Sequence, residues 1–200
     1  MATAATQEAK RRQILDAAVR AFARKGYHAC RVGEIAQEAG VAYGLVYHYF
    51  GSKEEVLETI FRETWTQMLA RVREVQQEGG PADEQIRKVT ALLLRTWRRD
   101  PDLVRVLVRE VTRSPEQLQQ QIDEIGHAYE ALEAIIAQGQ KTGEFRDDLD
   151  PKVAATVFYG ALEEVLTGWV MGQLPDTDED IAKAERDVTS LLCDGLAKRA

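Results

Sequence analysis

Arg31 to Phe50 read RVGEIAQEAGVAYGLVYHYF, and this stretch decides the fold of the chain. Its apolar residues are spaced for two short helices, with Gly40 between them. Glycine accepts the left-handed backbone of a tight turn without steric penalty, and a residue as small as Ala36 lets two helices cross closely. The pattern therefore predicts a helix-turn-helix, the motif in which the second helix meets the partner.

The second helix of the motif has two faces of different chemistry. Val46 and Phe50 are spaced to face inward. The opposite face is aromatic and hydrogen-bonding, has no acidic residue, and consists of Tyr43, Gly44, Tyr47 and His48. Such a face suits the major groove of DNA, with the glycine allowing close approach to the groove wall. The alternative, packing of the tyrosines on a small core, is easier to accept for Tyr49 than for Tyr43 and Tyr47.

The charge of the chain is unevenly distributed. A net charge of −7 argues against a polyanionic partner, because DNA binding replaces the counterions of phosphate with protein cations. However, residues 1–53 carry eight Lys or Arg against four acidic residues, a balance of +4. We therefore expect the N-terminal quarter to meet DNA, with Arg31, Lys53, Tyr47 and the basic helix Lys10–Lys25 as phosphate anchors.

Composition favours helix throughout. The 200 residues are 44% apolar, enough for a core, with five prolines and no run of alternating β-branched residues, so an all-α fold is predicted. The two cysteines lack metal-ligand or redox spacing, and no apolar run approaches the ~20 residues of a membrane helix. We therefore expect a cytoplasmic protein without metal, cofactor or membrane contact. Recognised catalytic motifs are missing and the three histidines are widely separated, so an enzyme is not expected.

Helix signals divide the rest of the chain. Ser52-Lys53-Glu54-Glu55 has the form of a capping box, which starts a long helix at Ser52. We predict an N-terminal three-helix DNA-binding domain at residues 1–51 and a helical effector-binding and dimerisation domain at residues 52–200. The predicted helices of the second domain span 52–77, 81–99, 101–113, 115–141, 151–171 and 178–197.

The stretch GYHACRVGEIAQEAGVAYGLVYHYFGSKEEVL, from Gly26 to Leu57, resembles the N-terminal domain of the TetR family of transcriptional regulators. The resemblance rests on the Gly-aromatic lead-in, the IAxxAGV core, the YxYF end of the second helix and the SKEE cap. Family members usually have hydroxyl residues where this chain has Arg31, Ala42 and Leu45. A helical interaction module that does not bind DNA therefore stays an alternative.

The two most apolar long helices are the last two. The resemblance to the TetR family implies that they form a four-helix interface in a C2 homodimer. The residues expected there are Val157, Ala161, Val165, Trp169, Val188 and Leu192. The alternative is that both apolar stripes lie wholly inside one copy.

The resemblance also implies a small effector held between the long connecting helix and the helices after it. The apolar candidates for this pocket are Trp65, Met68, Leu69, Leu93, Trp97, Leu107, Tyr129 and Phe158. The alternative, which each position taken singly favours, is that these residues belong to the plain core.

Arginines between Arg95 and Arg113 favour one class of effector. The segment has six arginines, and Arg105, Arg109 and Arg113 share one helical stripe. Guanidinium groups match phosphate oxygens, so an amphiphile with a phosphorylated head would suit the stripe. The alternative is a solvated arginine face paired with nearby acids.

The chain from Glu110 through EVLTGWVMG also looks like the fatty-acid-degradation repressors within the TetR family, which respond to long-chain acyl-CoA. We therefore expect a homodimeric repressor that binds a palindromic operator on double-stranded DNA and releases it when long-chain acyl-CoA binds. A sensor of apolar drugs or metabolites with the same fold is the alternative.

Overall fold

The computed structural model describes residues 4–111 and 115–197, and the side chains of these residues except 111 and 115–125. Regular structure within these ranges is helical, and no strand is present among them, which confirms the all-α prediction. The helices are α1 Ala4–Lys25, α2 Val32–Ala39, α3 Tyr43–Phe50, α4 Lys53–Glu78, α5 Ala82–Arg99, α6 Pro101–Val111, α7 Pro115–Thr142, α8 Pro151–Val170 and α9 Asp178–Leu196.

Helix ends follow local sequence signals. The Ser52 hydroxyl accepts a hydrogen bond from the Glu55 amide at 3.0 Å and so caps α4. The Asp150 carboxylate accepts from the amides of Lys152 and Val153 at the start of α8. Gly40 ends α2 with φ of 62°, the left-handed conformation that the turn between α2 and α3 requires.

The chain forms two compact units. The first unit combines the chain up to Thr64 with the segment Asp102–Gln119, and the second combines Trp65–Pro101 with the chain from Gln120 onward. This grouping differs from the predicted division at residue 51, because α6 belongs with the N-terminal helices. Residue contacts within the first unit account for the grouping. The Arg109 guanidinium donates to the Ala23 carbonyl at 3.3 Å, and the buried Glu110 carboxylate accepts from the Tyr27 amide at 3.4 Å.

The core of the first unit holds α2 and α3 against α1. Its fully buried side chains include Ile14, Phe22, Ile35, Val46, Val56 and Phe61. The Val41 amide donates to the Ala36 carbonyl at 2.9 Å across the turn, and Phe50 is buried at the end of α3. The outward face of α3 is consequently held on a rigid support.

The core of the second unit is centred on α5, which packs against α8 and α9. Trp97 of α5 stacks on Trp169 of α8, with ring centroids 6.3 Å apart, and the Trp169 indole donates to the Pro175 carbonyl at 3.1 Å. Trp169 is 3% exposed. Its predicted place at the dimer interface is therefore wrong, since the stacking on Trp97 holds it inside the second unit.

Candidate nucleic-acid interface and effector site

The outward face of α3 carries two exposed tyrosines. Tyr43 is 56% and Tyr47 41% exposed, and Gly44 and His48 beside them are exposed as well. The tyrosine rings lie 5.2 Å apart and their hydroxyls 3.1 Å apart, because residues four apart share a helix face. The hydrogen bond to Tyr43 raises the pKa of Tyr47. The pair is therefore a ready set of hydrogen-bond donors and acceptors.

Lys53, a predicted phosphate anchor, is engaged inside the first unit. Its ammonium donates to the carbonyls of Tyr27 at 2.9 Å and Cys30 at 3.0 Å, and lies 4.3 Å from the centre of the Tyr27 ring. These carbonyls belong to the link after α1, and that of Tyr27 also accepts from the Cys30 amide at 3.2 Å. Lys53 therefore joins the start of α4 to this link, which leaves its ammonium few donors, and its phosphate contact stays a prediction.

The basic residues of α1 are partly neutralised. Arg20 and Arg24 both bind the Glu38 carboxylate of α2, at 2.9 and 2.8 Å, and their hydrogen bonds lower the pKa of Glu38. Lys25 pairs with Glu34 in the same way. These ion pairs fix α2 to α1, so the basic face of α1 offers less free charge than the sequence predicts.

Arg31 keeps the exposed position that the prediction requires. Its backbone amide donates to the Glu34 carboxylate at 2.9 Å, which caps the start of α2 from one side. A guanidinium has only N–H donors and cannot accept a hydrogen bond from the Glu34 amide, so the second half of a reciprocal capping box is not formed. The side chain is exposed beside α2, so Arg31, like Tyr47, stays accessible as a predicted phosphate anchor.

The arginine stripe of α6 lies in the first unit, and its contacts differ from the predicted binding of an effector's phosphate groups. Arg105 pairs with Asp102 at 2.8 Å, and Arg109 donates to the last turn of α1 at Ala23. A cation on the terminal carbonyls of a helix also complements its dipole. Arg113 lies outside the described residues. A phosphate-binding stripe on α6 is therefore not what these contacts support, and the alternative of paired arginines describes Arg105 better.

The same pairing holds for arginines of α5. Arg95 donates two hydrogen bonds to the Glu185 carboxylate, at 2.9 and 2.8 Å, and Arg98 pairs with Asp178 at 3.0 Å. Both partners belong to α9. These ion pairs connect α5 to α9 at the surface of the second unit.

The apolar candidates for the effector pocket divide between the two units. Leu107 is half-buried in the first unit. In the second unit Leu69, Leu93, Trp97 and Phe158 are buried, and Trp65, Met68 and Tyr129 are half-buried. The buried members pack as core, and the half-buried members are the ones that retain accessible surface.

An aromatic cluster in the second unit joins two of these candidates through a residue that the sequence interpretation missed, Tyr159. Its ring lies 4.9 Å from that of Tyr129 and 6.1 Å from that of Trp65. Burial raises the pKa of Tyr129 and of Tyr159, and the carboxylate of Glu163 raises both further. The signal in the sequence was the spacing of Tyr159 and Glu163, four residues apart on α8.

An apolar surface runs along α8 and α9. Val153, Val157 and Leu191 are 61%, 60% and 75% exposed. Two shallow grooves, of about 320 and 350 Å³, lie beside them on this face. The remaining predicted interface residues line these grooves: Ala161, Val165, Val188 and Leu192.

Two further site classes were sought in the described part of the chain. No group of three or more His, Cys, Asp or Glu side chains within residues 4–111 and 115–197 is placed to hold a metal ion. None of the helices in those ranges has the length and apolar character needed to cross a membrane.

Known proteins resemble both parts of this chain. The family model for bacterial regulatory proteins of the tetR family matches residues 14–60, and that for the C-terminal region of YsiA-like proteins matches residues 61–195. The fatty acid metabolism regulator protein of Bacillus subtilis (strain 168) is 35% identical over 185 residues, which cover 92% of this chain and 94% of that protein.

Solved structures agree with these matches. FadR from Bacillus subtilis in complex with stearoyl-CoA has a TM-score of 0.82 at 32% identity and covers 92% of this chain and 98% of its own. The fatty acid degradation regulator FadR from Bacillus halodurans has a TM-score of 0.84 at 31% identity and covers 95% and 97%. The relatives are transcription regulators and not enzymes. The chain belongs to the TetR family of bacterial regulatory proteins, which use the helix-turn-helix built here by α2 and α3 to bind DNA.

Proposed function

We propose that this protein is a homodimeric, cytoplasmic repressor that leaves its operator when a long-chain acyl-CoA binds to it. One observation carries the choice of effector: the similarity to the FadR that was solved with stearoyl-CoA spans 92% of this chain and 98% of that one. The similarity therefore includes the helices after α4, where family members hold effectors. Expected targets are genes of fatty acid metabolism, since the relatives regulate that process.

The α3 face supports the assignment of DNA contacts. Tyr43 and Tyr47 present hydroxyls that can donate to phosphate oxygens or base edges, and the exposed His48 adds a ring nitrogen. Gly44 has no side chain to hold the helix away from the groove wall. Arg31 is an exposed cation at the start of α2, so we assign to it a phosphate contact in each DNA-binding domain of the dimer.

The α8–α9 face supports a C2 homodimer. A symmetric dimer needs a self-complementary surface, and this face, whose grooves are lined mostly by apolar side chains, satisfies the condition when two copies meet. Val157, Ala161, Val165, Val188 and Leu192 are the interface residues that we propose. In such a dimer the two α3 helices would read half-sites about 34 to 36 Å apart in successive major grooves.

Effector control requires a difference in affinity between two states of the dimer. A ligand that bound the operator-competent and splayed states equally would shift nothing. The helix α4 begins in the first unit at Lys53, capped by Ser52, and continues into the second unit. A tilt of α4 would therefore move the DNA-binding helices α1–α3. We propose that acyl-CoA binds the state in which this tilt separates the two α3 helices.

The test is an operator-binding titration. Fluorescence anisotropy would follow a labelled fragment of the promoter region of the protein's own gene, with CoA esters of increasing chain length, free CoA and free fatty acid as competitors. Long-chain acyl-CoA is expected to release the DNA and raise the melting temperature, while free CoA and free fatty acid do less. If every acyl-CoA leaves both unchanged, a sensor of apolar drugs or metabolites becomes the better assignment. If no DNA is bound at low salt, the repressor assignment fails.

A further inference from the structure

Three aromatic side chains with polar tips meet in the second unit: Trp65 of α4, Tyr129 of α7 and Tyr159 of α8. The indole nitrogen of Trp65 is buried and has no hydrogen-bond partner among the residues that the structure describes. A buried donor without a partner costs about 1–3 kcal/mol, so such groups are rare in native proteins. The free donor of Trp65 therefore marks a place where a ligand is expected to supply an acceptor.

The chemistry of the cluster limits what that ligand can be. An indole N–H donates and cannot accept, so its partner must carry a lone pair. A saturated acyl chain has no such atom. The tyrosine rings of the cluster also carry hydroxyl donors, so the cluster is suited to a carbonyl oxygen, whose two lone pairs accept two hydrogen bonds. Aromatic rings around such a point provide apolar surface for the chain that continues from it.

The charge near the cluster distinguishes a neutral carbonyl from a carboxylate. Glu163 follows Tyr159 by one helical turn on α8, and Glu164 lies next to it in the chain. Loss of water contact, with the charge of Glu164, raises the pKa of Glu163, and Glu163 in turn raises the pKa of Tyr159 and Tyr129. A second carboxylate at this place would meet like charge, whereas a neutral carbonyl would not.

We propose that Trp65, Tyr129 and Tyr159 form a carbonyl subsite that binds the acyl carbonyl of a fatty acyl thioester. This inference rests on the proposed acyl-CoA response and adds the part of the ligand that is recognised. It also gives a physical reason for discrimination against free fatty acid, whose carboxylate would lie near Glu163.

The experiment compares two ligands that differ only at the carbonyl. One is a long-chain acyl-CoA, and the other is the S-alkyl-CoA of the same chain length, in which a methylene replaces the carbonyl. Their dissociation constants are measured by isothermal titration calorimetry. The full-length protein is expected to bind the thioester about tenfold more tightly, since one well-buried hydrogen bond is worth about that factor.

Variants test which side chains supply this preference. Trp65→Phe removes the indole donor and is expected to bring the ratio of the two constants close to one. Tyr129→Phe and Tyr159→Phe remove a hydroxyl with little change of shape and are each expected to reduce the ratio, which keeps the proposal testable if Trp65→Phe fails to fold. Trp169→Phe makes the same replacement elsewhere in the second unit, at an indole whose N–H already has an acceptor in the Pro175 carbonyl, and is expected to keep the wild-type ratio.

The outcomes separate the subsite from the effector class. A wild-type ratio near one, or a ratio that none of the three variants lowers, would overturn the carbonyl subsite while leaving the acyl-CoA response intact. Equal weakening of both ligands by Trp65→Phe would also overturn it, because the loss would then not depend on the acyl carbonyl. Failure of the wild-type protein to bind either CoA derivative would instead remove the proposed effector class, and the subsite with it.

Discussion

The exposed face of α3 and the exposed face of α8 and α9 are both covered by large side chains, but they differ in their capacity for hydrogen bonds. Tyr43 and Tyr47 of α3 end in hydroxyls 3.1 Å apart. Val153, Val157 and Leu191 of the other face are aliphatic and more exposed than Tyr47. An exposed tyrosine costs little free energy, because water solvates its hydroxyl. An exposed valine has no such group, and its burial away from water lowers the free energy.

This difference shows how a surface in a single copy indicates the class of its partner. A polar aromatic face can bind a hydrated, charged partner such as DNA, where contacts through water are frequent. An aliphatic face requires a partner with matching apolar surface, and burial of each such side chain is worth about 1.5–3 kcal/mol. We expect substitutions on the aliphatic face to weaken dimer formation and, through it, operator binding. Substitutions on the α3 face should weaken operator binding alone.

The largest effect is expected from Val157→Asp. An unpaired carboxylate buried in an apolar interface costs several kcal/mol, so the proposed dimer should dissociate at concentrations at least about 100-fold above those for the wild type. Operator binding should be lost with it, because one head cannot span two half-sites. Analytical ultracentrifugation measures the first effect and anisotropy the second.

The matched control for this change is Ala134→Asp, which adds the same charge at an exposed position of α7, a helix that does not line the grooves of the α8–α9 face. It should leave both the dimer and operator binding unchanged. If Val157→Asp sediments like the wild type, the aliphatic face does not form the dimer, and the assignment of a protein partner to that face is wrong.

The second effect concerns the other face. Tyr47→Ala should weaken operator binding about 10- to 100-fold, since it removes a donor and a ring, whereas Tyr47→Phe should cost about tenfold by loss of the hydroxyl. Neither change should alter sedimentation. The control is Tyr49→Phe, because Tyr49 is half-buried on the same helix. Equal operator affinity for Tyr47→Phe and the wild type would show that the hydroxyl makes no contact.

The third prediction separates two cations that the sequence places together. Arg31→Met should lower the slope of log affinity against log salt by about 0.9 per head and leave stability within about 0.5 kcal/mol. Lys53→Met should keep the slope and reduce the free energy of unfolding by about 1–3 kcal/mol, because the Cys30 carbonyl loses the ammonium donor and the Tyr27 carbonyl keeps only the Cys30 amide. Salt titrations and urea denaturation measure the two quantities. A reduced slope for Lys53→Met would restore its predicted phosphate contact.

The helices were predictable because their signals are local. Ser52, Gly40 and Asp150 lie next to the helix ends that they define, and the spacing of Val46 and Phe50 specifies the inner face of α3. The exposed α3 face followed from the same spacing.

The roles that the sequence did not predict depend on contacts between distant residues. Arg109 meets Ala23 across 86 positions, and Lys53 meets Tyr27 across 26, so no local pattern distinguishes these cations from free ones. Trp169 fits an apolar stripe equally well as core or as interface, and the stacking on Trp97 decides between them. Tyr159 has a role only through Tyr129 and Trp65, which lie on other helices.

The smallest effect is the one that tests the α3 face most specifically. A Cβ added at Gly44 meets no atom within 4 Å, so Gly44→Ala does not disturb the fold. Alanine is favoured over glycine in a helix interior by about 0.5–1 kcal/mol, and Gly44 lies in the first turn of α3, so the variant should gain at most about that much stability. Operator affinity should fall several-fold nevertheless, because the new methyl group would stand between α3 and the groove wall. Gly126→Ala on α7, where a Cβ also meets nothing within 4 Å, should give the stability without the loss of affinity. A loss of folding cannot explain lower operator affinity in a variant that is more stable, so this pair of variants would assign the loss of affinity to the contact surface itself. Unchanged affinity in Gly44→Ala would mean that α3 does not approach the groove as closely as proposed.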